Sequence, residues 1–231
     1  MKFRASIKRI IPLLFTAIIL ALMPSGFAAA SSDYERLSPD ELERLRTGDV
    51  VTQVWRDETQ RDGAIDAYAA IHISATQQQV WAVMTSCELT LQVVRDMKIC
   101  RVIDASADGR TDVREQYFNA PFPFGDFKTK FQTTFTPYSQ IDIQGIGGDM
   151  KVQQGLWRII PLGDDQLRVT YRARVKPKLP VPRFLLRRAV RKDTPQIMTA
   201  LRDVSEALAI EAKTRRVSNV SEVVPPKQSP F

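Results

Sequence analysis

The sequence predicts an α+β fold in which one antiparallel sheet is covered by a long C-terminal helix. Three observations carry that prediction. Between Ile99 and Lys176 apolar residues recur with period 2, in segments separated by Gly, Asp and Pro turns. From Arg183 to Ala212 they switch to helical spacing, through Leu186, Val190, Ile197, Leu201, Val204 and Leu208. No other stretch could cover the apolar face that such a sheet must bury.

Taken in order, residues 1–30 read as a secretory signal peptide. Lys2, Arg4, Lys8 and Arg9 precede an apolar run, Ile10 to Met23, and the small residues end at Ala28-Ala29-Ala30. The run has fourteen residues, about 21 Å of helix at 1.5 Å per residue, against about 20 residues for a membrane span. Cleavage after Ala30 and a periplasmic or secreted protein are expected; an uncleaved anchor is the alternative. Residues 31–48 form a helical lead-in. Ser38-Pro39-Asp40-Glu41 supplies a cap, a proline at the first position and an acid at the third, and Gly48 stops the helix.

The main domain is assigned to residues 49–213. Val50 to Trp55 and Ala64 to Ile73 read as a strand hairpin. Thr76 to Met84 and Glu88 to Asp96 read as two short helices. Strands follow at Ile99 to Ala105, Thr111 to Phe118, Phe127 to Thr136, Ile141 to Ile146, Lys151 to Ile160 and Gln166 to Lys176. Ala120 to Asp126, with two prolines and a glycine, is a loop. Lys176 to Pro182 is a proline-rich linker. The last helix should be kinked or split at Pro195, and residues 214–231 should form a loose tail.

Composition narrows the function classes. Four of the 33 basic residues leave with the leader, so 29 bases face 26 acids and the mature balance is +3. That charge alone names no partner, and nucleic acid fits an exported protein poorly. Cys87 and Cys100 are the only cysteines and His72 the only histidine. A structural zinc therefore lacks ligands. Export favours reading the pair as a disulfide, with two buried free thiols as the alternative. No G-x-S-x-G and no phosphate-cradling glycine loop occurs. Gly145-x-Gly147-Gly148 leads into another strand, not a helix. No catalytic residue, metal site or cofactor is assigned, and a monomer is expected.

Several motifs in sequence order resemble the START-like (SRPBCC) superfamily, in its coenzyme Q-binding and polyketide cyclase-like branch. They are Ile73-x-Ala75 with Val80-Trp81-x-Val83-x-Thr85, Cys87, and Cys100-Arg101-Val102-Ile103. Gly147-Gly148-Asp149-x-Lys151-Val152, Gly155-x-Trp157-x-x-x-Pro161-Leu162 and Pro180-x-Pro182-x-Phe184-Leu185 follow. The match covers about Gly63 to Ala209. Ser86, Leu91, Arg95 and Asp96 depart from residues frequent in the family, around the second short helix, which borders the cavity entrance in this fold. The resemblance implies a helix-grip fold, with an apolar tunnel between the sheet and the last helix.

Two candidate sites follow. Of nineteen aromatic residues, ten lie between Tyr117 and Tyr171. Inward parity is assigned to Glu115, Tyr117, Phe127, Phe131, Thr133, Phe135, Trp157 and Tyr171, as the wall of an apolar pocket with a few polar groups. An inward Glu115 would need a partner or a raised pKa. The reading is binding or transfer of an apolar small molecule such as a lipid, quinone or polyketide. Alternatives are an aromatase or cyclase using Tyr or Glu as acid or base, and a ligand-free interaction module. The second site is basic. Arg172 to Lys192 holds nine bases and no acid. Arg183, Phe184, Arg187, Arg188 and Arg191 could dock on an anionic membrane surface; a solvated basic face is the alternative.

Overall fold

The computed structural model describes residues 37–60, 62–119, 125–163 and 165–223, with side chains to 216 in the last helix. The leader assigned to residues 1–30 lies outside the described residues. From Pro39 onward the elements run α1 (Pro39–Arg46), β1 (Val51–Trp55), β2 (Ile65–Ile73), α2 (Gln77–Thr85), α3 (Cys87–Val93), β3 (Met97–Ala105), β4 (Thr111–Phe118), β5 (Phe127–Thr136), β6 (Gln140–Gly148), β7 (Met150–Gly163), β8 (Gln166–Pro177) and α4 (Arg183–Val223). All eight strands form one antiparallel sheet in the order β1-β2-β8-β7-β6-β5-β4-β3. This is a helix-grip architecture, a curved open sheet wrapped against a long C-terminal helix.

Local chemistry sets the short helices. Thr76 and Gln79 make a reciprocal capping box at the start of α2: the Thr76 hydroxyl accepts from Gln79 N at 3.3 Å, and Gln79 Oε1 accepts from Thr76 N at 2.8 Å. Ser86 is the joint between α2 and α3. Its N–H donates to Ala82 O at 3.0 Å, closing α2, while its hydroxyl accepts from Leu89 N at 3.2 Å, opening α3. The second short helix is thus real, though it starts one residue earlier and ends three residues sooner than the sequence reading placed it. Cys87, its first residue, is bonded to Cys100 on β3, with a Cα separation of 5.3 Å. The bond ties α3 covalently to the edge strand of the sheet.

The core lies where α4 crosses the β1–β2 side of the sheet and meets α2. Ile71, Ile73, Val80, Val83, Val169, Met198 and Leu201 are all at most 2% exposed. They form one cluster contributed by β2, β8, α2 and α4. A smaller cluster, Val54, Ile65 and Ala67, packs under Leu186 and Val190 at the start of α4. On the opposite face, Arg174 reaches Asp66 at 2.9 Å and Asp62 at 2.7 Å. That buried network pins the end of β8 to β2 and to the turn that precedes it.

Of the kink or split expected at Pro195 the split does not occur, and the end of α4 is corrected. Pro195 neither splits nor ends the helix. Thr194, Met198 and Leu201 around it are buried, and that tertiary packing outweighs the one backbone hydrogen bond a proline removes. The helix also continues ten residues past Lys213, to Val223. No glycine or proline stands before Pro225, so the end of the apolar periodicity did not mark the end of the helix. The remainder of the tail assigned to 214–231 lies outside the described residues.

Two stability outcomes follow. Leu201→Ala should lower unfolding free energy by about 2–5 kcal/mol, measured by urea denaturation. Reducing the Cys87–Cys100 bond should lower it by about 3 kcal/mol. No change on reduction would show that α3 is held by packing alone.

Candidate functional site

Strand pairing decides which side chains face α4, because directly paired residues share a face of the sheet. On β5, Thr129, Phe131 and Thr133 are buried and alternate with exposed Gln132, Thr134 and Thr136. Phe127 and Phe135 share their face, as the sequence reading assigned. The pairs Phe135↔Ile141 and Ile141↔Trp157 carry that face across β6 to β7, and Trp157↔Tyr171 carries it to β8. Trp157 and Tyr171 stack at 4.0 Å between ring centroids. Gly155 makes room for them: a Cβ there would stand 3.3 Å from Ile143 and 3.5 Å from the Tyr171 ring. Burial pushes the Tyr171 hydroxyl up to about 12, so it stays protonated at neutral pH.

On β4 the assignment is corrected. The pairs are Asp112↔Thr133, Arg114↔Phe131, Gln116↔Thr129 and Phe118↔Phe127. Glu115 and Tyr117 pair instead with Lys130 and Lys128, on the outer face. There Lys128 Nζ meets Glu115 at 2.7 Å and lies 5.3 Å from the centre of the Tyr117 ring. The Lys128 ammonium holds the Glu115 carboxyl below its usual range, and Glu115 in turn raises Lys128. Neither Glu115 nor Tyr117 belongs to the inner wall. Neither an arginine partner nor a raised pKa is found for Glu115: its partner is a lysine on the outside of the sheet, and its carboxyl is lowered.

What replaces them is a buried ion pair that the sequence reading missed. Arg114 donates to Asp112 Oδ2 twice, through Nε at 2.8 Å and Nη2 at 2.7 Å. The side chains are 7% and 8% exposed. Arg114 Nη2 also donates to the Thr85 carbonyl at the end of α2, at 2.8 Å, and the guanidinium lies 5.6 Å from the Phe135 ring centre. Phe135 in turn meets Trp81 of α2 edge-on at 5.8 Å. One strand residue therefore links the sheet, α2 and the aromatic wall.

Among the described residues, three buried atoms on this wall have no hydrogen-bond partner: Asp112 Oδ1, Thr129 Oγ1 and Thr133 Oγ1. Burying such an atom unsatisfied costs about 1–3 kcal/mol. Leaving three on one face is costly unless something else meets them.

The helices cover this face unevenly. Among the sheet strands, α4 comes closest to β2 and β1, at one end of the strand order; α2 and α3 pack against α4, and α3 reaches β3 at the other end. Val102, whose pairing with Arg114 puts it on the inner face of β3, is 49% exposed. The concave side is thus open at the β3 edge. Among the described residues, no cluster of His, Cys, Asp or Glu could hold a metal ion.

The basic candidates stand apart from this wall. Arg183, Arg187, Arg188 and Arg191 are exposed on the first turns of α4. Phe184 among them is 71% exposed and Leu179 just before them 47%. Arg187 Nη2 donates to the Val54 carbonyl at 3.1 Å, which anchors one of the four to β1.

The sequence model of the family described as polyketide cyclase / dehydrase and lipid transport matches residues 73–202. The fold is similar to a STAR-related lipid transfer protein from Xanthomonas axonopodis, at 16% identity and a TM-score of 0.59, covering 68% of this chain and 93% of that one. It is also similar to human STARD10, at 14% identity and 0.57, covering 84% and 90%. The aromatase/cyclase Zhui from Streptomyces sp. R1128 matches at 9% and 0.53, covering 68% and 94%. No curated protein matches the sequence.

The buried pair gives a prediction. Arg114→Leu or Asp112→Ala alone should cost about 3–5 kcal/mol of stability, because each leaves a buried charge unpaired. The double variant should be more stable than either single one, as read by urea denaturation. Additive losses would show that the two charges are solvated independently.

Proposed function

This chain belongs to the polyketide cyclase / dehydrase and lipid transport family, and we propose that it binds an apolar small molecule between the concave face of its sheet and α4. The observation that carries this reading is the inner wall of β4 to β8. It sets Phe127, Phe131, Phe135, Ile141 and Trp157 on one face, and that face carries buried polar atoms that no group among the described residues satisfies. Apolar surface with a few convergent polar groups is what a small-molecule site requires. For the cyclase alternative, burial keeps Tyr171 protonated, which makes it a poor general base, and one oxygen of Asp112 is committed to Arg114.

Binding is read together with docking on an anionic membrane surface by the start of α4. The exposed Phe184 and Leu179 beside Arg183, Arg188 and Arg191 support it. Near such a surface each basic residue contributes about 1 kcal/mol, so the cluster matters where one residue would not. The bonded cysteines support reading residues 1–30 as an export leader, since disulfides persist in oxidising compartments.

Protein purified without denaturation should carry an apolar molecule detectable by native mass spectrometry. A clean protein that also takes up nothing from lipid or quinone extracts would reject the reading. Changing Arg183, Arg187, Arg188 and Arg191 together to Gln should abolish binding to anionic vesicles at low salt while leaving the circular dichroism unchanged. Salt should weaken the unmodified protein in the same way. Indifference of the unmodified protein to anionic vesicles would reduce the cluster to a solvated face.

A further inference from the structure

We propose that the ligand carries a hydroxyl, an alcohol or phenol, and that the Asp112–Thr133 row of the inner wall receives it. The inference rests on the apolar-ligand reading and goes beyond it by naming the polar group of the ligand.

The position of the unpartnered atoms is the starting point. In the helices, three hydroxyls are satisfied by a carbonyl four residues back. Ser205 donates to Leu201 O at 2.7 Å, and half-buried Thr85 and Thr90 do the same to Trp81 O and Ser86 O. Thr133 and Thr129 do not. They are 2% and 4% exposed, and each hydroxyl lacks a partner. Both face inward on β5, with Phe131 between them. Asp112, directly opposite Thr133, has one oxygen saturated by two Arg114 bonds and the other unbonded. Half of the six unpartnered buried side-chain atoms among the described residues therefore gather on two adjacent strands.

The chemistry of these atoms selects the visitor. A carboxylate oxygen only accepts, whereas a threonine hydroxyl both donates and accepts. A group seated between them must donate to Asp112 Oδ1 and can exchange a hydrogen bond with Thr133. A hydroxyl does both. An ether, ester or ketone oxygen could accept from Thr133 but would leave Asp112 Oδ1 unsatisfied. A carboxylate would bring a second negative charge against Asp112, whose one counter-charge, Arg114, is already committed. An ammonium would lie against that same guanidinium. A neutral donor on an apolar body is what remains, and the body has Phe131 and Phe135 beside it on β5.

The test uses matched pairs of probes and displacement of 1-anilinonaphthalene-8-sulfonate. 2-Naphthol should displace the dye about tenfold more tightly than 2-methoxynaphthalene, and 1-dodecanol about tenfold more tightly than methyl dodecyl ether. Thr133→Val preserves side-chain shape and removes a hydroxyl that makes no bond in the fold. It should leave the melting temperature unchanged or raised, and should cut the alcohol-over-ether preference to about twofold or less. Equal binding of alcohols and ethers to the unmodified protein would overturn this proposal and leave the apolar-ligand reading standing. Displacement by none of the four would overturn both. A full preference retained in Thr133→Val would overturn the assigned position.

Discussion

An open antiparallel sheet of eight strands exposes two faces, and one long helix cannot cover the whole of either. Here α4 lies along β1 and β2, where Val54, Ala67 and Ile71 meet Leu186, Val190, Met198 and Leu201. At the far side of the sheet, cover is left to two short helices. Everything distinctive about the molecule follows from that shortfall. The aromatic wall of β5 to β8 is only partly sealed by Trp81, the edge strand β3 keeps Val102 half in water, and a disulfide ties α3 to that edge. Phe127, Phe135 and Trp157 on the wall are only half-buried, and apolar surface of that kind is available to a ligand.

The Asp112–Arg114 pair sits where sheet, short helices and wall converge. It does not gain stability simply by being a salt bridge, since desolvating two charges offsets much of their attraction. Its value is geometric. Arg114 holds the C-terminal end of α2 through the Thr85 carbonyl and lies against Phe135, so the short helices are placed relative to the wall by one guanidinium. The arrangement leaves the second oxygen of Asp112 facing inward without a partner. A structural device of this kind, with one polar atom left over, is how an apolar cavity can acquire chemical preference without a catalytic group.

Much of this was legible in the sequence because the relevant signals are local. Period-2 alternation on β5, the turns at Asp108-Gly109 and Gly163, and the helical spacing of α4 each depend on neighbours a few residues away. The inner parity of Phe127, Phe131, Thr133 and Phe135 was read correctly for that reason. On β4 the same rule failed. Glu115 was placed by its shared parity with Tyr117, whereas the true inner positions are Asp112, Arg114, Gln116 and Phe118. Alternation of hydrophobicity points the wrong way when a buried ion pair occupies the inner face. Counting back along the hairpin would not have rescued it. A bulge between Val102 and Asp104 shifts the register by one, so Cys100 lies opposite Gln116 instead of Tyr117. The length of α4 was missed for a different reason. Lys213, Thr214, Arg215 and Arg216 are exposed and carry no apolar signal, and helix continues until a breaker stops it.

Binding of this kind requires the ligand to occupy the concave face. Methyl resonances report this directly. With isoleucine and threonine methyls labelled, titration with 2-naphthol should shift the inner set, Thr129, Thr133, Ile141 and Ile143, and leave Thr134, Thr136 and Ile160 on the outer face in place. Saturable shifts confined to the outer set, with the inner methyls unmoved, would contradict it.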